Sequence, residues 1–296
     1  MEVTRPMRFR TWLDRATGYL FVLPDLLGLL VFVIAPAFLG LILSLYDWSG
    51  LGEMTFIGFE NYRSLFEDPI FIRSLGITFK YVGIFVALNF IFAMGLALLV
   101  QRQGRGIGFF RALYFAPASL SIVVVGLVWK FIFQPNGLIN GVLKSMGLAG
   151  QPFLGSMSQA LGVVLSLSLY LSAGYFMVIL IAGLNDIPDQ YYQAAMVDGA
   201  NRLQQFWHIT LPLLKPTSFF VLVMSILQGF QAFDQIYVLT AGGPFYATTT
   251  TVFYAFQSAF RYYQFGYASA ITVIIFMIQV TLSVVLFRWL RGGRID

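Results

Sequence analysis

Residues 192–212 read YQAAMVDGANRLQQFWHITLP, a polar stretch punctuated by Gly199 and Pro212 in a chain that is otherwise mostly apolar. It follows a run, residues 145–185, without one charged side chain. Which side of a membrane this stretch occupies decides how the rest of the chain is arranged. The 296 residues are 58% hydrophobic and 10% charged, with a mean hydropathy of +0.79, whereas an ordinary soluble domain carries roughly 25% charged residues. Such a composition excludes a soluble globular fold.

With no cysteine, neither a disulfide framework nor a thiolate metal site is possible. His208 is the single histidine, and zinc sites or histidine-based triads need more partners than one ring supplies. The chain is therefore not expected to be an enzyme. Its net charge of +5 comes from basic residues scattered between apolar runs. That pattern is an orientation signal for a membrane protein, and no nucleic-acid partner is expected.

A bilayer-crossing helix needs about 20 mostly apolar residues. Six segments qualify, at roughly 19–45, 78–101, 109–133, 159–184, 216–240 and 266–290. The first is too long, and lacks the cleavage site, to be a secretory signal; an uncleaved span is expected. Pro36 and Pro117 free carbonyls inside spans that neighbouring helices must satisfy. The expected organisation is a cytoplasmic segment 1–18, a six-helix domain 19–290 and a tail 291–296.

Lys and Arg set the orientation. Twelve of the eighteen, Arg5, Arg8, Arg10, Arg15, Arg102, Arg105, Arg111, Arg202, Lys215, Arg288, Arg291 and Arg294, fall on the side that holds both termini. The opposite side gathers Asp47, Glu53, Glu60, Glu67 and Asp68. The positive-inside rule then predicts cytoplasmic termini and a cytoplasmic 185–215 segment between spans four and five. In that segment Asn185 or Asp186 is expected to cap a helix with Pro188 in its first turn. Gly199 is placed to end it, and residues 200–208 suit a second short helix. On the residues alone this hairpin is either an amphipathic element on the membrane surface or a helix for a partner's groove, which Ala194 and Ala195 would let approach closely.

The segment resembles the EAA motif of membrane subunits of bacterial binding-protein-dependent ABC importers: Glu-Ala-Ala, three residues, Gly, nine residues, Ile, one residue, Leu-Pro. Ala194, Ala195, Gly199, Ile209, Leu211 and Pro212 stand at that spacing. FIGFENYRSLFEDPIF, NGLINGVLKSMGL, GGPFYATTTTVFYAFQSAF and FGYASA are also similar to recurrent phrases of the carbohydrate branch, the maltose and glycerol-phosphate importer type. The resemblance implies an all-α, type I permease of the bacterial inner membrane. It further implies ATPase coupling through 193–199, with Asp198 in the same helix, and a lever through Ile209 and Pro212. The implied partners are a second homologous permease, two ATPase subunits that bind ATP and Mg, and an extracytoplasmic sugar-binding protein; this chain would hold no cofactor. Gln193 stands where the family usually has glutamate, and its neutral amide keeps an acceptor oxygen without the charge of a charge-assisted contact.

For a substrate path, LQGFQAFDQIYV puts Gln228, Gln231, Asp234 and Gln235 along one face if span five is a continuous helix. These side chains either bond to neighbouring helices or line a polar path, with Phe230, Phe233 and Tyr237 between them. Tyr170, beside Ser172 and Tyr175, and Asn89 are weaker candidates. There is no phosphate-binding loop of the G-x-x-x-x-G-K-[ST] kind. The rival reading is a gradient-driven secondary transporter of small polar solutes, but Asp25 and Asp234 are the only acidic groups within the spans.

Overall fold

A computed structural model describes residues 8–101 and 104–291. Arg5, Arg102, Arg294 and the tail beyond Arg291 lie outside the described residues, as does the start of the expected N-terminal segment.

The first helix, α1 (Arg8–Leu29), runs through a π turn at Leu30–Ile34 into α2 (Ala35–Leu43). Pro36 follows this turn by two residues. A π turn widens the helix where the proline ring would otherwise meet the preceding carbonyl. The same device recurs at Phe206–Thr210, just before Pro212. A short antiparallel pair, β1 (Tyr46–Asp47) and β2 (Thr55–Phe56), leads to α3 (Glu60–Glu67).

Next comes α4 (Pro69–Val100), nine residues longer at its start than the apolar run predicts. Asp68 caps it, with Oδ1 accepting from the Ile70 N–H at 2.8 Å, and Pro69 opens the first turn. The expected third span is not a straight helix. It is α5 (Ile107–Phe115) and α6 (Ile122–Ile132), bent by 96° at a 3-10 turn containing Pro117. The short α7 (Leu138–Ser145) precedes α8 (Ala160–Asn185).

A surface hairpin follows, built from α9 (Asp189–Val197), α10 (Arg202–Gln205), the second π turn and α11 (Leu211–Leu213). The expected fifth span is α12 (Lys215–Phe230) and α13 (Asp234–Leu239), broken at 231–233. Then come α14 (Thr251–Phe260) and α15 (Phe265–Arg291). Among the described residues, four helices are long and apolar enough to cross a membrane, or six if each of two bent pairs counts as one span: α5 with α6, and the hairpin arm Arg202–Leu213 with α12, bent by 70°.

Helix α8 is the centre: 61% of its apolar window is buried, against none of the first helix's. It packs on α4, α5 and α12. Between helices in lipid, apolar burial alone gains little, so close packing and polar joins set the arrangement. A Cβ at Gly174 would overlap the Tyr114 carbonyl, so this glycine lets α5 lie against α8. Asn89, fully buried, donates from Nδ2 to Ser225 Oγ and accepts at Oδ1 from Ser172 Oγ, both at 2.9 Å. One side chain of α4 thereby ties α12 to α8.

At the opposite end from the hairpin, Asp68 Oδ2 accepts from Tyr254 of α14 at 2.5 Å and Tyr267 of α15 at 2.7 Å. Burial works against ionisation of Asp68, but the bonds from Tyr254, Tyr267 and the Ile70 and Phe71 amides outweigh it. The carboxyl is held below its ordinary value.

Candidate coupling surface and substrate path

The hairpin is fixed by local chemistry. The Gly199 N–H donates to Met196 O at 3.1 Å and the Ala200 N–H to Ala195 O at 2.8 Å, with Gly199 at φ +80°. This is a Schellman turn, and its left-handed residue is one that glycine adopts without steric cost. A Cβ at Gly199 would meet nothing within 4 Å, so backbone conformation rather than space demands the glycine.

Asn201 then starts α10 with a capping box: its Oδ1 accepts from the Gln204 N–H, and Gln204 Oε1 accepts from the Asn201 N–H. The two arms are joined where Tyr192 and Thr210 share a hydroxyl bond at 2.9 Å. Tyr192, Phe206 and Ile209 pack on the core around Phe176, Leu180 and Leu214.

Of the residues singled out by sequence, Gln193, Ala194 and Asp198 are exposed on α9 and Ala195 is half-buried. Ala195, Asp198, Gly199 and Ile209 line one groove of about 360 Å³ with Gln204, Gln205 and His208. His208 is exposed, its Nδ1 3.0 Å from Gln204 O. Leu211 is half-buried and Pro212 exposed, both just past the π turn. Two details differ from expectation. Asn185 belongs to α8, and neither it nor Asp186 caps α9, whose flanking position is Pro188.

The expected face of span five does not exist as one helix face, because the chain breaks at 231–233. Gln228, Gln231 and Asp234 are exposed, whereas Gln235 is buried. Gln235 Nε2 donates to the Tyr81 hydroxyl at 3.1 Å, and that hydroxyl donates to Ser168 Oγ at 2.7 Å. Gln235 is thus a helix join. Ser172 and Asn89 are another, as described above. Tyr170 lies 4.7 Å, ring to ring, from Trp129 of α6. Sequence reasoning missed Tyr81 and Ser168; a lone tyrosine in an apolar run gives little signal of its partner. It also missed the aromatic rings of α14 beside Phe233.

Apolar helices packed around α8, with a polar hairpin at one end, give the architecture of a helical membrane protein, and its relatives give the class. The solved structure of a bacterial alginate ABC transporter in complex with an alginate pentasaccharide-bound periplasmic protein contains a chain that superposes with a TM-score of 0.81. That chain is 25% identical, over 94% of this chain and 93% of its own. The probable ABC transporter permease protein YurN of Bacillus subtilis is 36% identical, covering 95% of this chain and 98% of its own. The trehalose/maltose transport system permease protein MalF of Thermococcus litoralis is 30% identical over 99% and 98%. The chain belongs to the binding-protein-dependent transport system inner membrane component family, whose pattern matches residues 90–292. It is accordingly a transport subunit.

Proposed function

We propose that this chain pairs with a second homologous permease to form the path for a sugar or related polyol, delivered by an extracytoplasmic binding protein and moved by ATP hydrolysis on two partner ATPase subunits. ATP and Mg bind to those subunits and not to this chain. Six crossings are formed by α1–α2, α4, α5–α6, α8, α12–α13 and α15, spanning 19–290, with the 1–18 segment and the tail from 291 cytoplasmic.

The observation that carries this reading is the hairpin. An exposed α9 is locked to α10 by a Schellman turn and a capping box, and its far arm continues into α12. Force applied at 193–199 reaches α12 through Ile209, Leu211 and Pro212 and the 70° bend at Leu214 that separates this arm from α12. Gln193, Ala194, Ala195, Asp198 and Gly199 are the proposed contacts with the ATPase. Gln228, Gln231 and Asp234, polar and exposed at the break between α12 and α13, are the proposed path residues. Gln235 shapes that break from behind, and Tyr170 borders the path from α8.

The test is to purify the chain with its co-expressed partners and measure ATP hydrolysis with candidate binding proteins and a panel of sugars and polyols. Stimulation by a loaded binding protein is expected. An ATPase rate indifferent to every binding protein, in a complex that nonetheless transports, would overturn the reading.

A further inference from the structure

At the end of the molecule where Asp68 binds Tyr254 and Tyr267, helices α2, α14 and α15 leave an open cleft of about 680 Å³ between them. On α14 its wall recurs at helical spacing, at Val252, Ala255, Phe256, Ala259 and Phe260, and on α15 it runs from Phe265 to Phe276. The cleft is hollow because its middle is lined by small residues: Ala37 and Gly40 of α2, Ala255 and Ala259 of α14, and Ala268 of α15. Helix α2 packs on α15 but has no comparable packing on α14, so those two walls stand apart.

The lining is that of a hydrocarbon site. Among the described residues, Ser269 and Thr272 are its only polar side chains, and the Thr272 hydroxyl donates to Ala268 O at 3.0 Å within its own helix. No polar group of the α12–α13 break reaches it; on that side Phe256 meets Phe233 at 4.9 Å and Phe260 at 5.1 Å. A polar solute finds no partner here.

Length narrows the choice of apolar occupant. Phe276 lies eleven residues after Phe265, about 17 Å along a helix, and one leaflet supplies about 15 Å of a bilayer's hydrocarbon core. The cleft thus matches the depth of a single leaflet. A helix of that length and about 10 Å across takes up about 1,300 Å³, roughly twice the volume of the cleft. One extended acyl chain fits where a helix does not.

The mouth has the chemistry of the headgroup level. Phe260 meets Phe265 at 5.7 Å, and Trp48 lies 5.5 Å from Phe265. Arg261, Tyr262 and Tyr263 follow Phe260, all three exposed. Trp and Tyr settle at the membrane–water interface. Arg261 has no carboxylate partner among the described residues, and a guanidinium suits a phosphodiester.

We infer that this cleft binds one acyl chain of a phospholipid from the leaflet away from the hairpin, with the lipid phosphate at Arg261. The inference goes beyond the importer reading and takes from it only the name of the leaflet, the outer one. The bound chain fills the gap between α2 and α14 and so steadies the first span, none of whose apolar window is buried within this chain.

Photolabelling tests this, using a phosphatidylglycerol with a diazirine in one acyl chain and the transporter assembled with its partners in nanodiscs. Adducts mapped by peptide mass spectrometry are expected on residues 265–276. Filling the cleft with Ala255→Leu and Ala259→Leu is expected to abolish them, whereas Ala259→Ser keeps them. Arg261→Gln, a surface change that leaves the packing alone, is expected to reduce them about fivefold, the equivalent of about 1 kcal/mol for one basic residue at a lipid surface. The inference fails if the wild type gives no adducts on 265–276, if the leucine pair labels as the wild type does, or if Arg261→Gln changes nothing. It also fails if the cleft labels only once the second permease is removed, since that subunit is then what covers it. Failure of the importer reading is a separate result, an ATPase rate indifferent to every binding protein, and leaves the labelling as it is.

Discussion

Gly199 illustrates what a single residue contributes. Its φ of +80° is a conformation that costs a residue with a Cβ about 1–3 kcal/mol. Gly199→Val is therefore expected to unsettle the hairpin, leaving membrane insertion intact and abolishing coupled transport. Gly199→Asn, which tolerates the left-handed region, should retain much of the coupling. Vesicle uptake assays on both decide it; full transport in the valine variant would refute the lever. Gln193, also exposed, lacks the charge that the importer motif carries. Gln193→Glu is expected to strengthen ATPase association by up to about 1 kcal/mol, an effect that salt weakens; retention of the ATPase across a salt series measures this. Asp68 makes a pH prediction. A carboxyl held below its ordinary value contributes stability that is complete above about pH 3.9 and is lost as pH falls through the lower folded value. Thermal melts of Asp68→Asn should show reduced stability at pH 7 and a flatter profile below pH 4 than the wild type.

At the scale of elements, the hairpin was legible because its signals are local: a glycine at the turn and a proline at the exit, to which the structure adds the capping box of Asn201 and Gln204. The caps of α9 were misplaced because α8 keeps its register through Asn185. The breaks in spans three and five were hidden, since hydropathy averages over a bend as readily as over a straight helix. Only Pro117 hinted at the first. Polar residues in span five read as one face, yet the break turns Gln235 inward to Tyr81 while leaving Asp234 exposed. The joins between elements yield their own prediction. Asn89→Leu removes two interhelical bonds, each worth about 0.6 kcal/mol in membrane proteins, so a loss of about 1 kcal/mol is expected in unfolding measurements in bicelles. An unchanged stability would show that Ser172 and Ser225 find other partners at no cost.

For the whole molecule, the first helix is instructive. None of its apolar window is buried, while α8 is enclosed on most sides, so the chain is organised around its fourth apolar segment rather than its first. The proposed pairing with ATPase subunits predicts strict dependence on ATP hydrolysis. Proteoliposomes holding both permeases without the ATPase should show no uptake under a proton or sodium gradient. Gradient-driven uptake would favour a secondary carrier instead.

The sequence by itself determined that this is a helical membrane protein, roughly where its apolar segments lie, and that residues 192–212 form a turned, polar hairpin. Those properties follow from hydropathy, charge and short-range hydrogen bonding, all of which act within a few residues. Only the tertiary structure decided that Gln235, Asn89 and Ser172 tie helices together, that spans three and five are broken, and that Phe256 and Phe260 continue the rings of Phe233 and Tyr237. Each depends on groups far apart in the chain, such as Asn89 and Ser225 or Asp68 and Tyr254, whose meeting is set by packing against α4, α8 and α15 and leaves no periodic mark in either segment.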